Sequence, residues 1–259
     1  MVPCGDDNVY KKSFLVNYCI DGRCEFKVDG DNYSYVDHGL MSESSQTAQG
    51  NVYYPSSYYL GYEIYVMPDN FSQETESILK IFGINIDSLL ELYTKSAIFY
   101  ASDTVLKLWD NIDECNGNCN IGQIRLDVLQ ILKYLYNHGS ITSAQTPYLS
   151  RTQAMLAKKA KEILTADLRQ HISMKMISQE LGVSETSLKR YFHLVYGTNL
   201  STYMNEIRMQ YAAELLTSSQ MSISDVAKAC GYVNQGRFAS VFRQFFRMKP
   251  LDYRRGEKL

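Results

Sequence analysis

The sequence predicts a two-domain α+β protein: a small antiparallel β-barrel or sandwich plus helices at the N-terminus, then an all-α domain with two helix-turn-helix motifs. Three observations predict it. Short runs rich in Tyr, Val and Ile, punctuated by Gly, Asp and Asn, occupy residues 13–66. Helical spacing of apolar residues takes over after Pro68 and runs over about 72–138. Beyond Ala154 one pattern, two short helices around a glycine turn, occurs twice, with Gly182 and Gly231 at matching places.

Composition sets the outer limits. A chain of 259 residues with 45% apolar and 21% charged residues is long enough for two domains with real cores. No apolar run approaches the roughly 20 residues that span a bilayer. Met1 to Tyr10 carries Asp6 and Asp7 and no apolar stretch, so no secretory leader is expected and the default compartment is the cytoplasm. Six cysteines, at 4, 19, 24, 115, 119 and 230, do not read as a disulfide framework, and Cys115 and Cys119 have no histidine near them for a zinc site. The formal net charge of −2 conceals an uneven split. Residues 1–150 hold 9 Lys/Arg against 19 Asp/Glu, a balance of −10; residues 151–259 hold 17 against 9, a balance of +8. A basic half attracts a polyanion that an acidic half repels.

In the first half, Phe14 to Ile20 reads as a strand, Asp21-Gly22 as a turn, and Cys24 to Val28 as the strand that returns to form a hairpin. Asp29-Gly30 marks another turn before Tyr33 to Val36. Asn51 to Tyr54 and Tyr58 to Met67 are further strands, and the polar stretch 39–50 reads as a loop. Helices are expected over Ser72 to Phe82, over Ile86 to Tyr93, and after Ser102, which suits the N-cap of a helix carrying Val105, Leu106, Leu108 and Trp109. Asn120, with Gln123 as its capping-box partner, opens the strongest helix of this half. Its stripe of Ile121, Ile124, Val128, Ile131, Leu132 and Leu135 either packs on the domain's own sheet or pairs two subunits. Residues 139–152 read as a linker between domains at 1–138 and 153–259.

The second half is helical throughout. A first helix ends near Leu168. Met174 to Leu181, the stop at Gly182, the N-cap Ser184 and a helix carrying Leu188, Tyr191, Phe192 and Val195 form the first unit, with Ser178 as the small contact and Val183 as the corner plug. A long helix from Ser201 to about Leu216 follows. The second unit then opens on a Ser222–Asp225 capping box, with Ala227 as the small contact and Tyr232 as the plug, and its second helix buries Phe238, Val241, Phe242 and Phe245.

A helix fits the major groove of B-DNA, and helix-turn-helix units place the N-terminal part of their second helix there. If the long helix holds both units on one side of a duplex, the two second helices enter successive grooves, roughly 34 Å apart. The groove-facing candidates are Glu185, Thr186, Lys189, Arg190 and His193 in the first, and Gln235, Arg237, Ser240, Arg243 and Gln244 in the second. Gln235 suits an adenine edge, and Arg237 and Arg243 suit guanine or phosphate. Arg247, Lys249, Arg254 and Arg255 suit backbone positioning.

These residues resemble the DNA-binding domain of the AraC/XylS family of bacterial transcription regulators. The likeness covers about 165–255 and is most specific in Ile-x-x-Val-Ala-x-x-x-Gly-Tyr at 223–232, Phe238, Phe242 and Pro250-x-x-Tyr253-Arg254. Leu181-Gly182-Val183-Ser184, Leu188-Lys189-Arg190-x-Phe192, Gly197, Tyr203 and Arg208 fit in the first unit. Two positions depart: Arg247 stands where the family usually has Gly, and Ser178 where it usually has Ala. Gly236 and Ser240 are short where relatives often carry longer side chains. The resemblance implies promoter binding, usually activation through RNA polymerase, and an N-terminal region that senses a small molecule or forms a homodimer. In many relatives that region is a cupin-like barrel followed by helices, the last of which pairs subunits; the stripe from Ile121 to Leu135 would be that helix.

Fifteen tyrosines fall in residues 1–150. Tyr18, Tyr33, Tyr53, Tyr54, Tyr62 and Tyr65, with Tyr58 and Tyr59, either line an effector pocket or serve sheet packing and surface. The half holds only His38 and His138, too few for a cupin metal site, and no cofactor is implied. No G-x-S-x-G, glycine-rich nucleotide loop or H-E-x-x-H occurs, so an enzyme is not expected. A helical adaptor with a basic surface would explain the helices and the charge, but not the matched glycine turns.

Overall fold

The computed structural model describes residues 13–28, 31–44, 53–56, 58–92, 97–114, 120–138 and 147–256. The Asp29-Gly30 turn, residues 45–52, Cys4, Cys115, Cys119 and residues 139–146 of the expected linker lie outside them. The chain divides into two compact units at Ser150/Arg151.

In the first unit, β1 (Phe14–Gly22), β2 (Cys24–Lys27), β3 (Asn32–Val36), β4 (Leu40–Ser44) and β5 (Tyr59–Val66) precede the helices α1 (Gln73–Ile81) and α2 (Ile86–Leu92). Strand β6 (Ala97–Tyr100), helices α3 (Asp103–Glu114) and α4 (Ile121–His138), and strand β7 (Leu149–Ser150) complete it. The strands form two antiparallel sheets, in the orders β5-β1-β4-β6 and β2-β3-β7. Neither sheet closes among the described residues, so the expected barrel is replaced by two open sheets. The expected β1–β2 hairpin is also absent. Gly22 is left-handed at φ +85°, its N–H is held by Asp21 Oδ1 at 2.7 Å, and the chain passes to the other sheet at Arg23. Strand β1 instead pairs with β4 and β5 on its two edges.

Two elements depart from the sequence reading for one reason. Strand β4 lies within the stretch read as a polar loop, and β6 falls where no element was expected. Both are short and pair with each other, burying Leu40, Met41, Ile98 and Phe99. Tyr53 and Tyr54 are not strand, although the Tyr53 carbonyl accepts from Glu25 N–H at 2.9 Å. Leu149–Ser150, placed in the expected linker, pairs with β3.

The pleat of β1 sends Phe14, Val16 and Tyr18 to one face and Cys19 to the other. The first face meets Leu79, Leu89, Val105, Leu108, Trp109, Ile131, Leu132 and Leu135 from α1 to α4. The second joins Cys19 to Cys24, Val36, Leu40 and Ile98, bringing the two sheets together. Local capping behaves as expected at Ser72 and Ser102, which accept from Thr75 N–H at 3.2 Å and Val105 N–H at 3.4 Å. At Asn120 the capping box is incomplete. Its Oδ1 accepts from Gly122 N–H at 2.9 Å, while the Gln123 amide reaches forward to Asp127 at 3.1 Å.

The second unit is α5 (Arg151–Thr165), α6 (Met174–Glu180), α7 (Glu185–Tyr196), α8 (Leu200–Ser218), α9 (Ile223–Ala229), α10 (Gln235–Phe246) and α11 (Pro250–Arg255). Buried alanines 154, 157 and 160 let α5 pack against its neighbours closely. Helix α8 has 19 residues and spans about 28 Å. Its Tyr203 meets Phe192 and Tyr196, while Met209, Ala212, Ala213 and Leu216 join Val226, Ala227, Phe238 and Phe242. One helix therefore supplies core to both halves of the unit.

Candidate nucleic-acid interface

The two turns are built alike. Gly182 (φ +66°) and Gly231 (φ +79°) are left-handed. Gly182 N–H donates to the Gln179 carbonyl at 3.2 Å and Val183 N–H to the Ser178 carbonyl at 3.0 Å. Gly231 N–H donates to Lys228 at 3.0 Å and Tyr232 N–H to Ala227 at 2.9 Å. Each is a Schellman closure, in which glycine at the left-handed position lets two otherwise orphaned carbonyls be satisfied. The helix that follows is then started by a side-chain cap: Ser184 accepts from Ser187 N–H at 3.1 Å, and Asn234 from Arg237 N–H at 2.9 Å. Ser178, the departure from alanine, fits because its hydroxyl donates a hydrogen bond to the Lys175 carbonyl at 2.9 Å.

Helices α7 and α10 each turn one face inward and leave the other in water. Leu188, Phe192, Val195, Phe238 and Phe242 are buried. Phe245, expected inward, is 43% exposed because Phe246 instead packs beside Phe242 at 4.6 Å. Thr186, Lys189, Arg190, His193, Gln235, Arg237, Ser240, Arg243, Gln244 and Arg247 are exposed. Glu185 is half-buried and pairs with Lys189 at 2.5 Å, so it competes with a groove contact for that lysine. Among the described residues no carboxylate pairs with Arg190, Arg237, Arg243 or Arg247. A groove of about 710 Å³ runs beside α7, lined by Glu185, Lys189, Arg190 and His193 and by His171, Ser173, Asn199 and Ser201. These last four were not singled out from sequence; the caps Ser173 and Asn199 were the available signal.

Two arginines prove structural. Arg254, expected near phosphate, is half-buried and donates to the Met221 carbonyl at 2.7 Å. Arg208 on α8 is buried, donating from Nε to the Leu168 carbonyl and from Nη2 to the Gln170 carbonyl, both at 3.0 Å. Its guanidinium carbon lies 5.9 Å from the centre of the Tyr232 ring. One side chain thus ties the chain entering the first unit to the corner of the second. The receiving loop is itself braced by Asp167, whose carboxylate takes Arg169 Nε at 2.9 Å and Nη2 at 3.0 Å; those hydrogen bonds hold its pKa down at about 2.

Arg247 is left-handed at φ +61°, alone among the described non-glycine residues. It occupies the position after α10 that a glycine would fill without strain. Arg247→Gly is expected to raise the stability of the full chain by about 1 kcal/mol, or about 4 °C in the melting temperature of this unit. Arg247→Ala, which removes the charge and keeps the strained backbone, should give no such gain in the same thermal scan.

The remaining candidates lie in the first unit. Tyr18 and Tyr62 face each other across β1 and β5, and both rings lie parallel to the Trp109 indole, at 5.4 and 6.0 Å. They build core, and burial pushes the Tyr18 hydroxyl pKa up. Tyr33 sits in the other sheet, Tyr54 tilts against Tyr59, and Tyr65 is exposed with its hydroxyl on Glu63. Tyr53 lies in the segment before β5. Tyr18, Tyr62 and Tyr65 therefore lie in one sheet, Tyr33 in the other, and Tyr53 and Tyr54 in neither. Ile131, Leu132 and Leu135 are buried in the unit's own core with half-buried Val128 packed against it, while Ile121 is 65% exposed. Cys19 and Cys24 are buried, and burial pushes their thiols up to about 11 and about 12, so they stay protonated at neutral pH.

Comparison with known proteins agrees with this geometry. The family model described as a helix-turn-helix domain matches residues 177–256, the two turns and both second helices. These residues are an AraC-type helix-turn-helix domain. The chain is 31% identical over 97 residues to the HTH-type transcriptional regulator GbdR of Pseudomonas aeruginosa, covering 38% of this chain and 26% of that one. The HTH-type transcriptional regulator ExsA of the same organism is 31% identical over 119 residues, covering 44% and 43%. An AraC-type DNA-binding domain-containing regulator from Chromobacterium violaceum, solved by crystallography, is 29% identical over 40% of this chain and 93% of its own, with a TM-score of 0.38. The chain spans between about a quarter and about half the length of the curated relatives it matches. Those relatives are transcription regulators, not enzymes. No helix among the described residues is long and apolar enough to cross a membrane.

Proposed function

We propose that this chain is a cytoplasmic, sequence-specific transcription regulator that inserts α7 and α10 into adjacent major grooves of promoter DNA and activates through RNA polymerase. The observation that carries the reading is the pair of Schellman-closed turns, each followed by a capped helix whose outer face holds an arginine or two with no carboxylate partner among the described residues, Arg190 on α7 and Arg237 and Arg243 on α10. Thr186, Lys189, Arg190, Gln235, Arg237 and Arg243 are the base or phosphate contacts, with Glu185, His193, Ser240, Gln244 and Arg247 at their margins. The first unit pairs two copies through the start of α4, where Ile121 is exposed and Ile124 half-buried, and responds to a small molecule; its compactness as a separate unit and its acidic balance support a role away from DNA.

The test is binding of the full chain to duplexes enriched from a randomised pool. Affinity should fall steeply with salt, because each phosphate contact releases counterions. Lys189→Ala and Arg190→Ala should each weaken binding about tenfold, and loss of a phosphate contact should lower the salt slope by about one. If both variants bind like the parent at moderate salt, α7 is not a reading helix. If the parent shows no salt dependence, its basic surface serves a protein partner instead.

A further inference from the structure

The two turns differ by one residue. From Ser178 to Val183 and from Ala227 to Tyr232 the hydrogen bonds correspond one for one. The next residue in the first unit is the N-cap Ser184, whereas in the second Val233 intervenes before the N-cap Asn234. Val233 has no counterpart, and the corner has no room for it because Tyr232 already fills it, 92% buried against Phe238 and Arg208. The extra residue is pushed out. At 101% exposure it is the most exposed large apolar side chain among the described residues.

We propose that Val233 reads sequence by touching the C5 methyl of a thymine in the major groove. Val233 stands fully exposed at the leading end of α10, immediately before the N-cap Asn234, and helix-turn-helix units place that end of the second helix in the groove. The thymine methyl is the apolar group that a base edge offers in the major groove. Two exposed positions on α10 leave room beside it: Gly236 in the first turn has no side chain, and Ser240 one turn on is short. A backbone without side chains can approach the base edges closely, which puts an apolar tip where longer polar side chains would otherwise make the contact. This inference rests on the reading that α10 enters the groove.

The experiment uses the full chain and duplexes that it enriches from a randomised pool. Each thymine is replaced singly by deoxyuridine, which lacks only the methyl, and each probe is measured with the parent and with Val233→Ser. At one thymine the parent should lose about fourfold in affinity, the worth of one methyl removed from water. Val233→Ser should bind the original duplex about fourfold more weakly and be indifferent to that replacement, with an unchanged melting temperature. If parent and variant respond alike at every thymine, Val233 reads nothing. If the parent enriches no sequence at all, the DNA-binding reading falls first, and this one with it.

Discussion

Gly231→Ala is expected to cost the second unit about 3–5 kcal/mol, from left-handed strain together with the loss of a buried hydrogen bond. The residue is left-handed at φ +79°. A Cβ there would lie 2.5 Å from the Leu168 carbonyl oxygen and 2.8 Å from Arg208 Nη2. The first neighbour is backbone and cannot swing aside, so the methyl must push apart the Arg208–Leu168 hydrogen bond. Since whole domains are stable by only about 5–15 kcal/mol, a loss of this size removes a large share of the unit's stability. Gly182→Ala supplies the control. Gly182 has the same turn geometry at φ +66°, but nothing lies within 4 Å of its added Cβ. It should therefore cost only the strain, about 1–2 kcal/mol. Denaturant titration of both full-length variants measures the difference; equal costs would mean that the close approach at Gly231 has no energetic weight.

Arg208→Met should cost about 2–4 kcal/mol, because two carbonyls lose charged donors while the aliphatic stem is kept. Arg208 is 5% exposed, and its partners at 168 and 170 lie 40 and 38 residues away in sequence. Arg208→Lys should recover little, since a single ammonium does not reproduce the two-armed contact or the stacking over Tyr232. On the proposed function, the loss should also appear in DNA affinity measured well below the melting temperature, with an unchanged salt slope, because Arg208 is buried and braces the turn before α10 through Tyr232. A variant with full affinity and parental stability would remove Arg208 from that role. Combined with Gly231→Ala, the effects should be less than additive, as both break the same hydrogen bond.

Capping and turn chemistry were legible because they act within four or five residues. Ser184, Ser222, Gly182, Gly197 and Gly231 do locally what their side chains, or lack of them, dictate. The reading candidates on α7 and α10 followed from the same periodicity, since a helix with Leu188 and Phe192 inward must carry Lys189, Arg190 and His193 outward. Val233 drew no notice in the sequence, and the matched hydrogen bonds of the two turns are what reveal it as an added residue.

What the chain's letters determine alone is therefore the sequence of helices in the second unit, their caps, their turns and their outward faces. Tertiary structure decides what lies far apart in the chain: β1 pairing with β4 and β5 instead of β2, a polar stretch becoming the strand Leu40–Ser44, α4 burying Ile131, Leu132 and Leu135 in its own unit, and Arg208 finding its carbonyls. The reason is energetic. Local bonds select a conformation from a few backbone angles, whereas strand pairing and burial depend on which distant surfaces are available, and a stripe of apolar residues specifies that it will be covered without specifying by what.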